Sequence, residues 1–316
     1  MLGVVSLLLW FHRQDVRDWL VVQRYTAPSE IVSLAERTTM TPHGRFLFYA
    51  STPEVDDAST FNDRCERREA ASAALGCYHR GAIYIYRVSD KKLDGIQEVT
   101  AAHEMLHAAW DRLSTKERQR IAVLLERTYE RVKTPELKKR MEYYERQQPG
   151  ERSNELHSIF GTETRVLGDE LDEYYASYFD DRQAVVALHQ SYRSVFEMLE
   201  QETSDLKYKI EKYAIQINEA VAAYNTSIDQ FNSAVIRHNQ HLTSVDRTDP
   251  EAVDAYNDRR ELLIRQQQVL DEDRRDIRRQ QTRYDALRKA YNVMVVRADK
   301  LTDSIDSVKA QGSTVQ

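Results

Sequence analysis

Val99-Thr100-Ala101-Ala102-His103-Glu104-Met105-Leu106-His107-Ala108-Ala109-Trp110 sets the pentapeptide His-Glu-x-x-His inside an apolar stretch. On a helix, residues four apart lie one above the other, so the imidazoles of His103 and His107 can reach one ion. Two histidine nitrogens suit zinc, which takes one more protein ligand in a catalytic site and leaves a fourth position to water. Glu104 projects beside that ion rather than onto it, where its carboxylate can take a proton from the water that the metal activates. Ala101, Ala102, Met105, Leu106, Ala108, Ala109 and Trp110 make the rest of the segment apolar, which predicts a helix buried nearly all round. Buried histidines and a buried glutamate need partners, and a metal satisfies them more fully than hydrogen bonds alone.

These five residues resemble the signature of the zincin group of zinc metallopeptidases. The resemblance implies a zincin-like domain, Zn2+ as cofactor, a peptide or protein substrate, His103 and His107 as metal ligands and Glu104 as the catalytic base. In the gluzincin branch, a later helix donates a glutamate that often follows an asparagine, and Asn154-Glu155 resembles that pair. Glu155 is therefore the expected third ligand, although it stands 48 positions after His107, farther than in the thermolysin type. Met105, Leu106 and Trp110 stand where the metzincin branch would show a glycine and a third histidine. Glu163, eight residues beyond Glu155, can share its helical face and is the alternative ligand, while His157 points to another face and is a candidate oxyanion donor. The tyrosine-dense run Leu171–Phe179 offers either core packing or a phenol near the metal. In zincins the strand before the active-site helix commonly lines the cleft and pairs with extended substrate, which by resemblance points to Ile83–Arg87.

Outward from the motif, Arg45–Ala50 and Ala82–Arg87 are aromatic and β-branched runs bounded by glycine or proline signals, and both read as strands. Pro28-Ser29-Glu30 starts a short helix, and Thr41-Pro42-His43-Gly44 reads as a turn. Asp94-Gly95 turns the chain into the motif helix. Ser114-Thr115-Lys116-Glu117 is a capping box and Thr134-Pro135 a further helix start. Cys65 and Cys77, separated by eleven residues in a polar stretch, predict a local disulfide in an oxidising compartment. The alternative makes Cys77 a metal ligand: Leu75-Gly76-Cys77 resembles the Gly-Cys of peptide deformylases, but the glycine-rich motif of that family is missing.

The chain begins Met1-Leu2-Gly3-Val4-Val5-Ser6-Leu7-Leu8-Leu9-Trp10-Phe11 without a charge. That run is shorter than the roughly 20 apolar residues a bilayer span needs. It predicts a hydrophobic anchor or signal remnant over residues 1–24; the competing reading is an amphipathic helix packed on the domain through Trp10, Trp19, Leu20 and Val21. No glycine occurs from Val185 to Lys309, and apolar residues such as Leu206, Ile210, Tyr213 and Ile217 step by three and four. Only Thr248-Asp249-Pro250-Glu251 interrupts the pattern, which predicts two long helices folded back as an antiparallel coiled coil.

The expected fold is therefore α+β and mostly α, with a zinc metallopeptidase domain over residues 25–182 followed by a helical hairpin over 183–312. The formal net charge of −6 carries no electrostatic footprint for nucleic acid. The expected setting is the outer side of a cell membrane, or secretion, with association through the N-terminus and a protein partner on the hairpin. The rival function is a non-enzymatic cell-surface scaffold or adhesion protein built on the hairpin with a structural zinc. Glu104 separates the two, because a purely structural site has no use for a carboxylate there.

Overall fold

The computed structural model describes residues 13–65 and 75–313. The uncharged run Met1–Phe11 lies outside them. In chain order the elements are α1 (Arg13–Arg24), α2 (Ser29–Arg37), α3 (Pro42–Ala50), β1 (Glu54–Asp56), α4 (Ala58–Arg64), β2 (Gly76–His79), β3 (Ala82–Tyr86) and α5 (Ile96–Arg112). There follow α6 (Thr115–Val132), α7 (Pro135–Gln147), α8 (Arg152–Thr162), α9 (Asp169–Tyr175), α10 (Arg182–His241), α11 (Pro250–Ser304) and α12 (Ser307–Ser313). The protein is mostly helical with one small sheet in the order β1-β3-β2.

Local chemistry places most of these boundaries. Ser114 and Glu117 exchange the two bonds of a capping box at the start of α6, and Thr134 accepts from the Leu137 amide ahead of Pro135 in α7. Gly95, at φ +97°, makes the sharp turn into α5 that a side chain would disfavour. The run Arg45–Ala50 is helical, not a strand. Thr41 caps it, accepting from the Gly44 amide at 3.0 Å, and Pro42 fills the first helical position. Gly44, Leu47 and Phe48 then form one buried helical face, so tertiary burial overrides the aromatic β-propensity of Phe46, Phe48 and Tyr49.

The motif helix α5 is the centre of the globular unit. Ala101, Ala102, Met105, Leu106 and Ala108 are fully buried, and α5 packs most extensively on α8 through Leu156, Ile159 and Phe160. β2 and β3 form a hairpin, closed at Arg80-Gly81, that lies against α5. Cys65 and Cys77 are disulfide-bonded, tying the end of α4 to β2, which removes Cys77 from the possible metal ligands.

The chain separates into two compact units, one of residues 1–197 with 299–316, the other of residues 198–298. In the first, Val185 and Val186 of α10 are buried, and α12 packs on α4, where Asn62 Nδ2 donates to Ser307 O at 3.1 Å. In the second, Asp249 caps α11 by accepting from the Glu251 amide, and the His238 ring stacks on Tyr256 at 4.1 Å. Among the described residues, no helix is long and apolar enough to cross a membrane.

Candidate metal centre

Helical spacing on α5 turns His103 and His107 to the same side, where their Nε2 atoms lie 3.1 Å apart. Helix α8 supplies the third group: Glu155 Oε2 is 4.0 Å from His103 Nε2, and Oε1 is 3.9 Å from His107 Nε2. One ligand atom from each residue falls within 4.8 Å of the others, so the three can hold a metal ion. Glu155 is buried, and its Oε2 has no hydrogen-bond partner among the described residues. A partnerless buried carboxylate oxygen is costly, and a cation facing it removes the cost. Two imidazole nitrogens and one carboxylate oxygen form a donor set that zinc accepts, as do other first-row divalent ions.

The surrounding residues orient the set. His107 Nδ1 lies 2.9 Å from Asn154 Oδ1, an atom that can only accept, so Nδ1 carries the proton and Nε2 keeps its lone pair for the ion. Asn154 in turn donates Nδ2 to Glu151 Oε2 at 2.9 Å. Burial holds the His103 imidazole well below its ordinary range. Burial acts the same way on His107, but the carboxylates of Glu155 and Glu104 outweigh it and raise that group. Desolvation also raises Glu155.

Glu104 lies on α5 beside the edge strand β2. Glycine at position 76 permits the approach: a Cβ there would fall 2.9 Å from Glu104 Oε1 and 2.6 Å from Thr100 Cγ2. Burial pushes the Glu104 carboxyl up to about 7, against the pull of His107. A carboxyl in this range exchanges protons readily near neutral pH.

Other expected participants stand elsewhere. Glu163 accepts two bonds from Arg140 Nη1, at 2.8 and 2.7 Å, and lies 3.5 Å from His189 Nε2, an ion-pair cluster outside the group of three ligands. His157 is fully buried; its Nε2 is 2.9 Å from Tyr174 Oη, and its ring packs against Trp110 and Tyr175. Desolvation drives it down to about 3, and its ring lies within this aromatic cluster. Tyr174 is bonded to Tyr178 and His157, and Tyr175 gives its hydroxyl to the His157 carbonyl, so this run builds core. The strand Ile83–Arg87 has no free edge for substrate over β3, because β1 pairs on one side and β2 on the other.

Two groups on α7 enter the site without a sequence signal of their own. The Arg140 guanidinium, by its charge, and the Tyr144 phenol, as a hydrogen-bonding group, both pull the Glu155 carboxyl down against desolvation. Asn154 was legible only as the neighbour of Glu155; its bond to His107 depends on how α8 crosses α5. Compared with protein-family models, with curated proteins and with solved structures, the chain matches none of them.

Proposed function

We propose that the chain is a zinc-dependent metallopeptidase that hydrolyses peptide bonds with Glu104 as general base. The observation that carries the reading is the convergence of His103, His107 and Glu155, with a partnerless carboxylate oxygen, next to a separate buried carboxylate that is not part of the ligand set. A structural site would leave Glu104 without a task.

Zinc held by the two Nε2 atoms and the Glu155 carboxylate would supply a Lewis acid that lowers the pKa of water to about 7 and polarises a carbonyl. Asn154 keeps the His107 Nε2 lone pair directed inward. The Glu104 carboxylate would take the proton of the attacking water and pass it to the leaving amine nitrogen. The disulfide and the uncharged run Met1–Phe11 support placing the enzyme on the outer side of a membrane. In the unit of residues 198–298, half-buried positions step by three and four along α10, which supports a coiled-coil arm offered to a protein partner.

The test is metal analysis of the purified chain with a broad peptide-library cleavage assay. About one zinc per chain is expected, with peptide cleavage that chelation abolishes. Glu104→Gln should keep the zinc and the fold and lose turnover by about 100-fold or more. Activity preserved within a few-fold in that variant sinks the general-base role.

A further inference from the structure

Helix α1 presents two unlike faces. On one, Asp18 is 4% exposed and grips the Arg112 guanidinium, with Nε to Oδ2 at 2.7 Å and Nη2 to Oδ1 at 3.1 Å. Arg112 is the last residue of the motif helix α5. Just after α1, Tyr25 Oη donates to Pro53 O at 2.7 Å. One side of α1 is thus fixed to the globular unit. On the other side Val16, Trp19 and Leu20, three and four apart, are 40%, 55% and 42% exposed. Trp19 and Leu20 therefore point away from the domain that an amphipathic packing helix would have them cover.

Apolar residues exposed singly are ordinary, but three on one stripe of a 12-residue helix, one of them tryptophan, are not a water-adapted face. Arg17 and Arg24, both exposed and seven residues apart, flank Leu20 along one edge of that stripe. Immediately upstream the sequence is the uncharged run Met1–Phe11. An apolar stripe with tryptophan in it and arginines along its border fits a helix lying in the headgroup layer, with the guanidinium groups meeting lipid phosphates. A second copy of the chain fits less well, because three side chains cover far less than the roughly 1,200 Å² of a stable protein interface.

We propose that the outer face of α1, made of Val16, Trp19 and Leu20 bordered by Arg17 and Arg24, binds the surface of an anionic lipid bilayer. The Asp18–Arg112 pair then ties the motif helix directly to a membrane-bound element. This extends the membrane placement of the N-terminal run and stands independently of the zinc chemistry.

The test uses the full chain and vesicles of phosphatidylcholine with phosphatidylglycerol, carrying brominated acyl chains that quench tryptophan. The chain has three tryptophans, Trp10, Trp19 and Trp110, so Trp19→Phe isolates the contribution of α1. The expected result is quenching on binding, of which Trp19→Phe removes a substantial share. Arg17→Gln should weaken binding to the anionic vesicles about fivefold and leave binding to pure phosphatidylcholine unchanged. Quenching that survives Trp19→Phe and disappears in Trp10→Phe overturns the proposal while leaving the N-terminal anchor standing. Absence of vesicle binding by the full chain overturns both. A lipid-free dimer dispersed by Trp19→Asp overturns it by giving the face to a second copy.

Discussion

The Nδ1–H of His107 is bonded to Asn154 Oδ1 at 2.9 Å, which joins the motif helix α5 to α8 one residue before Glu155. The same bond sets the imidazole tautomer and holds the carrier of Glu155 in register. Outer-shell partners of this kind typically change metal affinity 10- to 100-fold. Asn154→Ala should therefore weaken zinc binding by roughly that factor while His103, His107 and Glu155 remain. Competition with a chromogenic chelator measures it, and an unchanged affinity would show that the bond is only structural.

Glu155 and Glu163 were both candidates for the third ligand, and their surroundings predict opposite phenotypes. Glu155→Ala should lose stoichiometric zinc, since its carboxylate faces both histidines. Glu163→Gln should keep zinc and cost stability, because it breaks the bidentate contact to Arg140. Arg140 is 35% exposed at its side chain, so solvent screens the loss to about 1 kcal/mol. Metal analysis and urea unfolding of the two variants decide between them; zinc lost from the Glu163 variant alone would reverse the assignment.

Gly76 lets β2 lie directly against the Glu104 carboxylate. Gly76→Ala must push a methyl against Thr100 Cγ2 and Glu104, both carried by the rigid motif helix. The expected cost is about 1–3 kcal/mol, as for other overpacking of a filled site. Cleavage should fall beyond what the stability loss explains, because the strand that lies against Glu104 is displaced. A thermal melt and a kcat measurement on the same sample check both parts; unchanged values mean that β2 yields freely.

What could be read from the sequence was set by how local the signal is. The motif helix, the strand Ala82–Tyr86, the capping box of Ser114 and Glu117 and the start at Pro250 all rest on residues within four positions of each other. The aromatic composition of Arg45–Ala50 speaks for a strand, whereas Thr41-Pro42 ahead of it is the stronger, helix-starting signal. β2 is a Gly-Cys-Tyr-His segment with no alternation to betray it, and it exists through pairing with β3. The neighbours of Glu155 on α7, Tyr144 and Arg140, are brought in by packing between helices, and no spacing rule could name them. Likewise nothing in the unbroken periodicity of α10 marks Glu197, where the first compact unit gives way to the second.

That boundary leads to the last prediction, a comparison of chains ending at Asp181 and at Glu197. The intervening turns of α10 belong to the globular core: Val185 and Val186 are 0% and 1% exposed. Arg182, also buried, donates to the carbonyls of Phe160, Thr164 and Arg165 and to Asp172 Oδ1. Ending at Asp181 removes both valines and leaves those carbonyls near the end of α8 to find new partners. Burying two valines contributes about 3 kcal/mol or more, and each orphaned buried carbonyl costs about 1 kcal/mol or more, so the difference should be on the order of 5 kcal/mol. The last turn of α8 would loosen with them, and Glu155 sits on that helix, so the shorter chain should also hold zinc less tightly. Both chains lack residues 299–313 equally, which leaves the comparison to residues 182–197 alone. Urea unfolding and zinc content of the pair test it: equal stability would place the edge of the globular unit at Asp181 and make all of α10 an appendage.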